Sequence, residues 1–385
     1  MVKFMSGVIG AVGAATRPPG AAVDPSPDVA SGRAESNRTS RVDTESRALL
    51  AAAAGFVLAG PASVFYFLTR SNPISGQGSV GDTAAVAAAV IGLIAFAASY
   101  TNSYLRPAAR RSTRLRRAVD IFDLLALALA HATVILLIWA VVFFVLQQAF
   151  SGARLHPLAA GLLVGGAVAI SAYFAYLSGS NMTVSRLSLL LLVFLVGGVL
   201  TSMLTASDPR WWVNNISALG ITTDVSGVTF NFTLAIAGII LTTLAQYGTK
   251  DLRSTPVARS SSVHSIRSLR WTITILGIFL ASVGLFPANR LVLVHNTAAT
   301  GMVLTFMGLI VVLRWLCPML PVAFLALGYV FVVFIAIAVV LWYPIGYFGL
   351  TGLELISASL IFLWVVVFVR VLAASHADEF AGVTH

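Results

Sequence analysis

Ten apolar stretches follow one another along the chain, near residues 47–69, 82–104, 120–149, 157–178, 184–205, 229–248, 270–286, 296–314, 320–343 and 351–374. Each is close to the about 20 residues that a helix needs to cross a bilayer. Together they take up roughly 220 positions, and some 45 more form an N-terminal tail. The connecting segments then average near a dozen residues, so no separate soluble domain fits between spans of this length. The pattern predicts an all-α polytopic membrane protein with about ten transmembrane helices.

Composition agrees. Of 385 residues, 58% are apolar and 10% charged, against roughly 25% charged in soluble proteins, and the mean hydropathy is +0.92. A soluble globular domain is excluded. One cysteine, Cys317, forms no internal disulfide, and no Cys/His set has zinc spacing. The lysines are Lys3 and Lys250, in the tail and a loop, so none lies in a span to carry retinal. The preference for Arg over Lys, with abundant Ala, Gly and Val, points to a high-GC bacterial genome. Residues 1–46 mix Pro, Ser, Asp and Arg and lack the apolar content to fold, so a disordered cytoplasmic tail is expected. The opening MVKFMSGVIGAVGAA imitates a signal peptide only faintly, with one lysine as its basic region. A start codon assigned too early would leave the same pattern.

Charge placement sets orientation. With the N-terminus inside, the inner segments hold roughly twenty basic residues, including Arg106, Arg110, Arg111, Arg114, Arg116, Arg117, Lys250, Arg253, Arg259, Arg267 and Arg270. The outer segments hold Arg70, Arg154, Arg210 and Arg290. By the positive-inside rule both termini are cytoplasmic, in a bacterial plasma membrane. The net charge of +10 is thus mostly a topology signal. No nucleic-acid partner is expected, because the arginines are divided among short loops beside anionic lipid.

The two halves resemble each other. The first outer loop reads Asn72-Pro-Ile74-Ser75-Gly-Gln-Gly78-Ser-Val-Gly-Asp82, and the third reads Asn214-Asn-Ile216-Ser217-Ala-Leu-Gly220-Ile-Thr-Thr-Asp224. Both follow N-x-I-S-x-x-G-x-x-x-D. The second outer loop, Phe150 to Leu155 and then His156 to Ala160, shares F-x-x-x-R-L and H-x-x-A-A with Phe286 to Leu291 and His295 to Ala299. These recurrences predict two parallel four-helix repeats, 47–183 and 184–319, related by an axis along the membrane normal. A terminal helix pair, 320–375, and a short cytoplasmic tail, 376–385, complete the chain.

The second half, about 185 to 375, also resembles the DUF-998 bacterial and archaeal membrane family and, more distantly, the eukaryotic Frag/DRAM/Sfk-type six-helix proteins. Ile216-Ser217-Ala-Leu219-Gly220, Phe230-Asn231, Gly284-Leu285-Phe286-Pro287, His295 and Gly352-Leu353-Glu354 carry the resemblance. In the family the acidic residue is usually followed by arginine; here Leu355 follows. The resemblance implies a six-helix membrane domain, with lipid distribution or membrane organisation proposed for the distant relatives.

Polar residues that recur outside are the candidate ligand site: Asn72, Ser75, Asp82, Arg154, His156, Asn214, Ser217, Asp224, Arg290, His295 and Glu354. Arginine pairs suit phosphate, and carboxylates can orient a hydroxylated or cationic headgroup. The same residues also have plain structural roles: Ser, Asn and Gly shape turns, Asp82 and Asp224 cap helices, and Arg and His satisfy loop carbonyls. His295 and Glu354 stand out, since the resemblance and their placement at helix entrances coincide. On helix three, Asp120, Asp123 and His131 fall near one face and form a candidate proton path, although both aspartates also sit where caps belong.

No metal site and no cofactor are expected; histidine placement disfavours haem. The leading expectation is a protein that binds a lipid or other amphiphile at the outer leaflet and moves or organises it. An enzyme acting on a lipid-linked substrate at the same face is the alternative, and a structural partner subunit a third. The expected partners are membrane lipids, and assembly with itself or another membrane protein stays open. Trp211, Trp212, Trp342, Tyr343, Trp271 and Trp315 read as interfacial anchors, and Gly165, Gly166, Gly197 and Gly198 as close helix contacts.

Overall fold

A computed structural model describes residues 27–69, 72–109, 113–252, 263–318 and 320–381. Expectations resting on residues 1–26 and 382–385, and on Arg70, Arg110, Arg111, Arg253 and Arg259, lie outside the described residues. Among the described residues ten helices are long and apolar enough to cross a membrane. They are α1 (Pro27–Phe67), α2 (Val80–Tyr100), α3 (Arg114–Ala149), α4 (Pro157–Ser180), α5 (Val184–Leu204), α6 (Val225–Leu252), α7 (Val263–Leu285), α8 (Val292–Leu316), α9 (Val322–Trp342) and α10 (Leu350–Ala381). Met1–Ser46 forms a unit apart from Arg47–His385; its described residues are helical from Pro27 on, and the account below concerns Arg47 onward.

Helix boundaries run past the apolar stretches wherever polar residues continue the turn. Thus α7 starts at Val263 rather than near 270, and α6 starts at Val225. Beyond Tyr100, α2 widens into a π turn at Thr101–Leu105 and ends in the single turn Arg106–Ala109. Pro107 gives the cause: it has no N–H to donate, and its ring crowds the Ser103 carbonyl, which the wider turn moves aside.

Packing between helices depends on close backbone approach, because apolar burial alone drives little association in lipid. At the α6–α7 crossing backbone meets backbone. A methyl at Gly277 would stand 2.6 Å from the Gly238 carbonyl oxygen and 3.0 Å from the Thr242 nitrogen, and one at Gly284 2.5 Å from the Asn231 oxygen. Gly165 and Gly198 also make close contacts, whereas a methyl at Gly166 would meet nothing within 4 Å. Gly277→Ala is therefore expected to destabilise the protein by about 2 kcal/mol, since backbone cannot give way. Gly166→Ala should be neutral or slightly stabilising through helix propensity. Thermal unfolding of both variants in one detergent checks the contrast; equal behaviour would refute this reading of the crossing.

The helix neighbours of the two halves differ. In the first half α2 packs chiefly on α4 and α3; its counterpart α6 packs chiefly on α7 and α5. The main core runs from the first half through α10, and a smaller one, with Phe67, Ile74, Phe143 and Val164, lies beneath the first loop. A cluster of Phe306, Phe324, Trp364 and Phe368 joins α8, α9 and α10.

Candidate functional site

The loop from Thr205 to Asp224 is the longest connection at its end of the bundle. Its course follows from local chemistry. The Asp208 carboxylate accepts the Arg210 N–H at 2.8 Å, and two 3₁₀ segments follow, Trp211–Val213 and Ile216–Ile221. The loop closes on Asp224, which accepts hydrogen bonds from the Ser207 and Thr222 hydroxyls, each at 2.6 Å, and from the Gly227 N–H at 3.0 Å. Asp224 is thus the N-cap of α6, and these bonds, led by the one from Ser207, hold its carboxyl well below the usual carboxylate range. The stability it contributes is present above the ordinary carboxylate range and fades as pH falls below it.

Four other elements tie this loop down. Asn231 of α6 donates to the Gly220 carbonyl at 2.8 Å, Asn289 to Ile221 at 3.4 Å, and Thr351 of α10 to Trp212 at 2.6 Å. The centre is Ser217. Its hydroxyl lies 3.0 Å from Nε2 of His295, one turn into α8, while His295 Nδ1 lies 3.0 Å from the Phe286 carbonyl. A carbonyl only accepts, so Nδ1 carries a proton. Glu354, one turn into α10, accepts the Ile216 N–H at 2.6 Å and so stands beside Ser217. His295 is 4% exposed. Three residues far apart in sequence thus meet at one point: a hydroxyl, an imidazole of fixed tautomer and a carboxylate.

The other candidates do not join this knot. Asn72, buried, donates to the carbonyls of Phe67 and Leu155 and binds the first loop to the second, beside a backbone bridge between Pro73 and Arg154. The Ser75 N–H goes to Gln147 of α3 at 3.2 Å. Asp82 is the third helical residue rather than the cap itself: Ser79 caps α2, and the Asp82 carboxylate accepts the Gly78 N–H. His156 occupies the N-cap position of α4 without a side-chain cap bond and is exposed, as are Arg154, Arg290 and Asn214. The buried amide oxygen lacking a hydrogen-bond partner in the second half belongs to Asn215, one residue past the repeated position; in the first half it belongs to Asn72.

On α3, Asp123 and His131 face different partners. His131 places Nδ1 against the Leu127 carbonyl at 2.8 Å and Nε2 against Ser178 at 2.9 Å, and stacks on Phe96. Asp123 is buried and accepts the Thr243 hydroxyl of α6 at 2.8 Å. Near it, the Tyr100 and Tyr247 hydroxyls pair at 2.9 Å. The path expected along α3 is divided into a histidine turned to α4 and an aspartate turned to α6.

Gln147, Asn289 and Thr351 were missed as candidates because none is a repeated residue; Asn289, at a variable position of F-x-x-x-R-L, and Thr351, three residues before Glu354, each have a signal close by. Among the described residues no three His, Cys, Asp or Glu side chains gather as metal ligands. Cys317 is buried, which pushes its thiol up to about 11 and keeps it unreactive. An apolar groove lined by Phe56, Gly60, Pro61, Val64, Leu158 and Leu162 runs between α1 and α4, near the end that carries the Ser217 knot. Comparison of the chain with family models, with curated proteins and with solved structures found no match.

Proposed function

We propose that this multi-pass protein binds a lipid or other amphiphile at the outer leaflet of a bacterial plasma membrane and moves or organises it. The convergence of Ser217, His295 and Glu354 at the entrances of α8 and α10 carries the reading. A polar knot of this kind beside apolar helix ends can order a headgroup while the chains stay in lipid. The arginine distribution supports placing this end outside and both termini in the cytoplasm. The apolar groove between α1 and α4 supports an acyl-chain partner at the same end. Likeness to the DUF-998 proteins, and origin of the two halves by duplication, belong to the same proposal and rest on the motifs around Ser217, His295 and Glu354.

Native mass spectrometry of the purified protein tests it. His295→Ala is expected to lower retention of a co-purifying lipid about tenfold, through loss of the hydrogen bonds that hold Ser217 in place, with a smaller loss for Arg290→Ala. Unchanged retention in both variants would remove the site.

One observation favours a second reading, an enzyme acting on a lipid-linked ester. A serine hydroxyl 3.0 Å from a histidine Nε2 is a nucleophile–base pair. Two features weigh against it. A backbone carbonyl, not a carboxylate, holds the far side of the ring, and Glu354 occupies the Ile216 N–H, a donor that would otherwise be free to stabilise an oxyanion beside Ser217. A fluorophosphonate adduct on Ser217 that disappears in His295→Ala would establish the enzyme.

A further inference from the structure

Among the described residues, five connections lie at the Ser217 end of the bundle, and one differs in chemistry from the rest. The first four each expose polar or charged side chains: Gln77 in the first, Ser151 and His156 in the second, Asp208 and Arg210 in the third, Arg290 in the fourth. The fifth, Tyr343-Pro-Ile345-Gly-Tyr347-Phe-Gly349 between α9 and α10, holds no charged residue and no Asn, Gln, Ser or Thr. Yet Tyr343, Ile345 and Tyr347 are 79%, 61% and 78% exposed. Large apolar side chains gathered on one short turn mark a surface that something covers.

The backbone of this turn suits a dry place. At the end of a helix the last carbonyls have no partner within the helix, and in hydrocarbon every such group has to be met inside the protein. Here the Tyr343, Ile345 and Tyr347 N–H groups donate back to the Val339, Val340 and Leu341 carbonyls, at 3.0, 3.3 and 2.8 Å. Pro344 has no N–H to satisfy, and Gly346, at φ +67°, supplies the left-handed residue that turns the chain. The side chains continue a lipid-facing surface. Val333, Ile337 and Val340 form an exposed stripe along α9, and Tyr343 follows three residues later with its backbone still helical, φ −83° and ψ −59°.

The start of α10 links this turn to the knot. It carries Thr351, bonded to the Trp212 carbonyl, and Glu354, bonded to the Ile216 N–H. Trp212 and its neighbour Val213 are again apolar and exposed. We propose that the 343–349 turn and the 212–213 corner are immersed in the leaflet, which thereby reaches over the start of α10 to the Ser217–His295–Glu354 knot. The proposal rests on the reading of the knot as the ligand site and narrows its substrate class. The ligand is one dissolved in the membrane, arriving sideways with its chains in lipid, and not a water-borne solute. Tyrosine and tryptophan fit that boundary, since each buries a ring and keeps one polar atom for the headgroups.

Nitroxides attached to Ile345→Cys, Tyr347→Cys and Val213→Cys test this, each in the full chain in vesicles of phosphatidylethanolamine and phosphatidylglycerol. Cys317 is buried and stays unlabelled. Power saturation is expected to show oxygen collisions exceeding nickel-chelate collisions at all three sites, with the order reversed at Ser151→Cys and Arg290→Cys. Nickel-chelate collisions dominating at 345 and 347 overturn the immersion. Immobilised labels that neither collider reaches overturn it too, in favour of a second copy or another protein seated on the turn. Lipid at 345 and 347 with water at 213 overturns the reach to the knot. Lipid at all three sites, with lipid retention untouched by His295→Ala, overturns the ligand reading and leaves the immersion standing.

Discussion

Replacing Glu354 with alanine is expected to free the loop between α5 and α6 while leaving the helices in place. The carboxylate accepts the Ile216 N–H at 2.6 Å. Removing it strands that backbone donor at the start of a 3₁₀ segment. A hydrogen bond to a charged group contributes about 1.5–3 kcal/mol, and water that enters the vacated space recovers part of that, so a net loss of about 1–2 kcal/mol is expected. Amide exchange at Ile216 should quicken by about tenfold. Thr351→Ala, which deletes one neutral bond to the Trp212 carbonyl, should lose about 1 kcal/mol. Equal exchange rates in wild type and Glu354→Ala would show that the remaining anchors hold the loop unaided.

The second large effect is expected at Trp364, which is fully buried. Its ring stacks on Phe368 at 5.0 Å and 8°, leans on Phe324 at 5.3 Å, and meets the edge of Phe306 at 5.5 Å. These contacts fix α9 and α10 to α8. Lipid is as apolar as the core, so the transfer part of a large-to-small substitution shrinks in a bilayer, whereas the cavity part remains. Trp364→Ala should therefore lower stability by about 3 kcal/mol, expressed as early release of α9 and α10 to proteolysis. Trp364→Phe should lose under about 1.5 kcal/mol. It gives up less volume and deletes an indole N–H that has no hydrogen-bond partner. A nearly neutral alanine variant would mean that the terminal pair is held elsewhere.

The helix count was legible because it depends on the length of apolar stretches, which bilayer thickness fixes regardless of tertiary contacts. Helix ends were not. Polar residues such as His264 and Ser265 continue a turn when neighbouring helices support it, and nothing local announces that. Of the polar candidates, Ser217, His295 and Glu354 were named from the sequence and do meet. Asn72, Ser75 and Arg154 were placed in the same expected pocket; instead Asn72 and Arg154 join the first loop to the second, and Ser75 is held to Gln147 of α3. The difference lies in packing: α2 crosses α4 while α6 crosses α7, so similar motifs are set on dissimilar neighbours. The roles of Gln147 and Asn289 were invisible for a related reason. A lone amide signals nothing until another chain segment supplies the backbone group it binds.

The bonds from Asp123 to Thr243 and from Tyr100 to Tyr247 carry a mechanical meaning. They clasp α2 and α3 to α6 at the end opposite Ser217. A lever clasped at one end moves most at the other. Rocking of one half against the other would pivot about the tyrosine pair, with its widest arc beside His295 and Glu354.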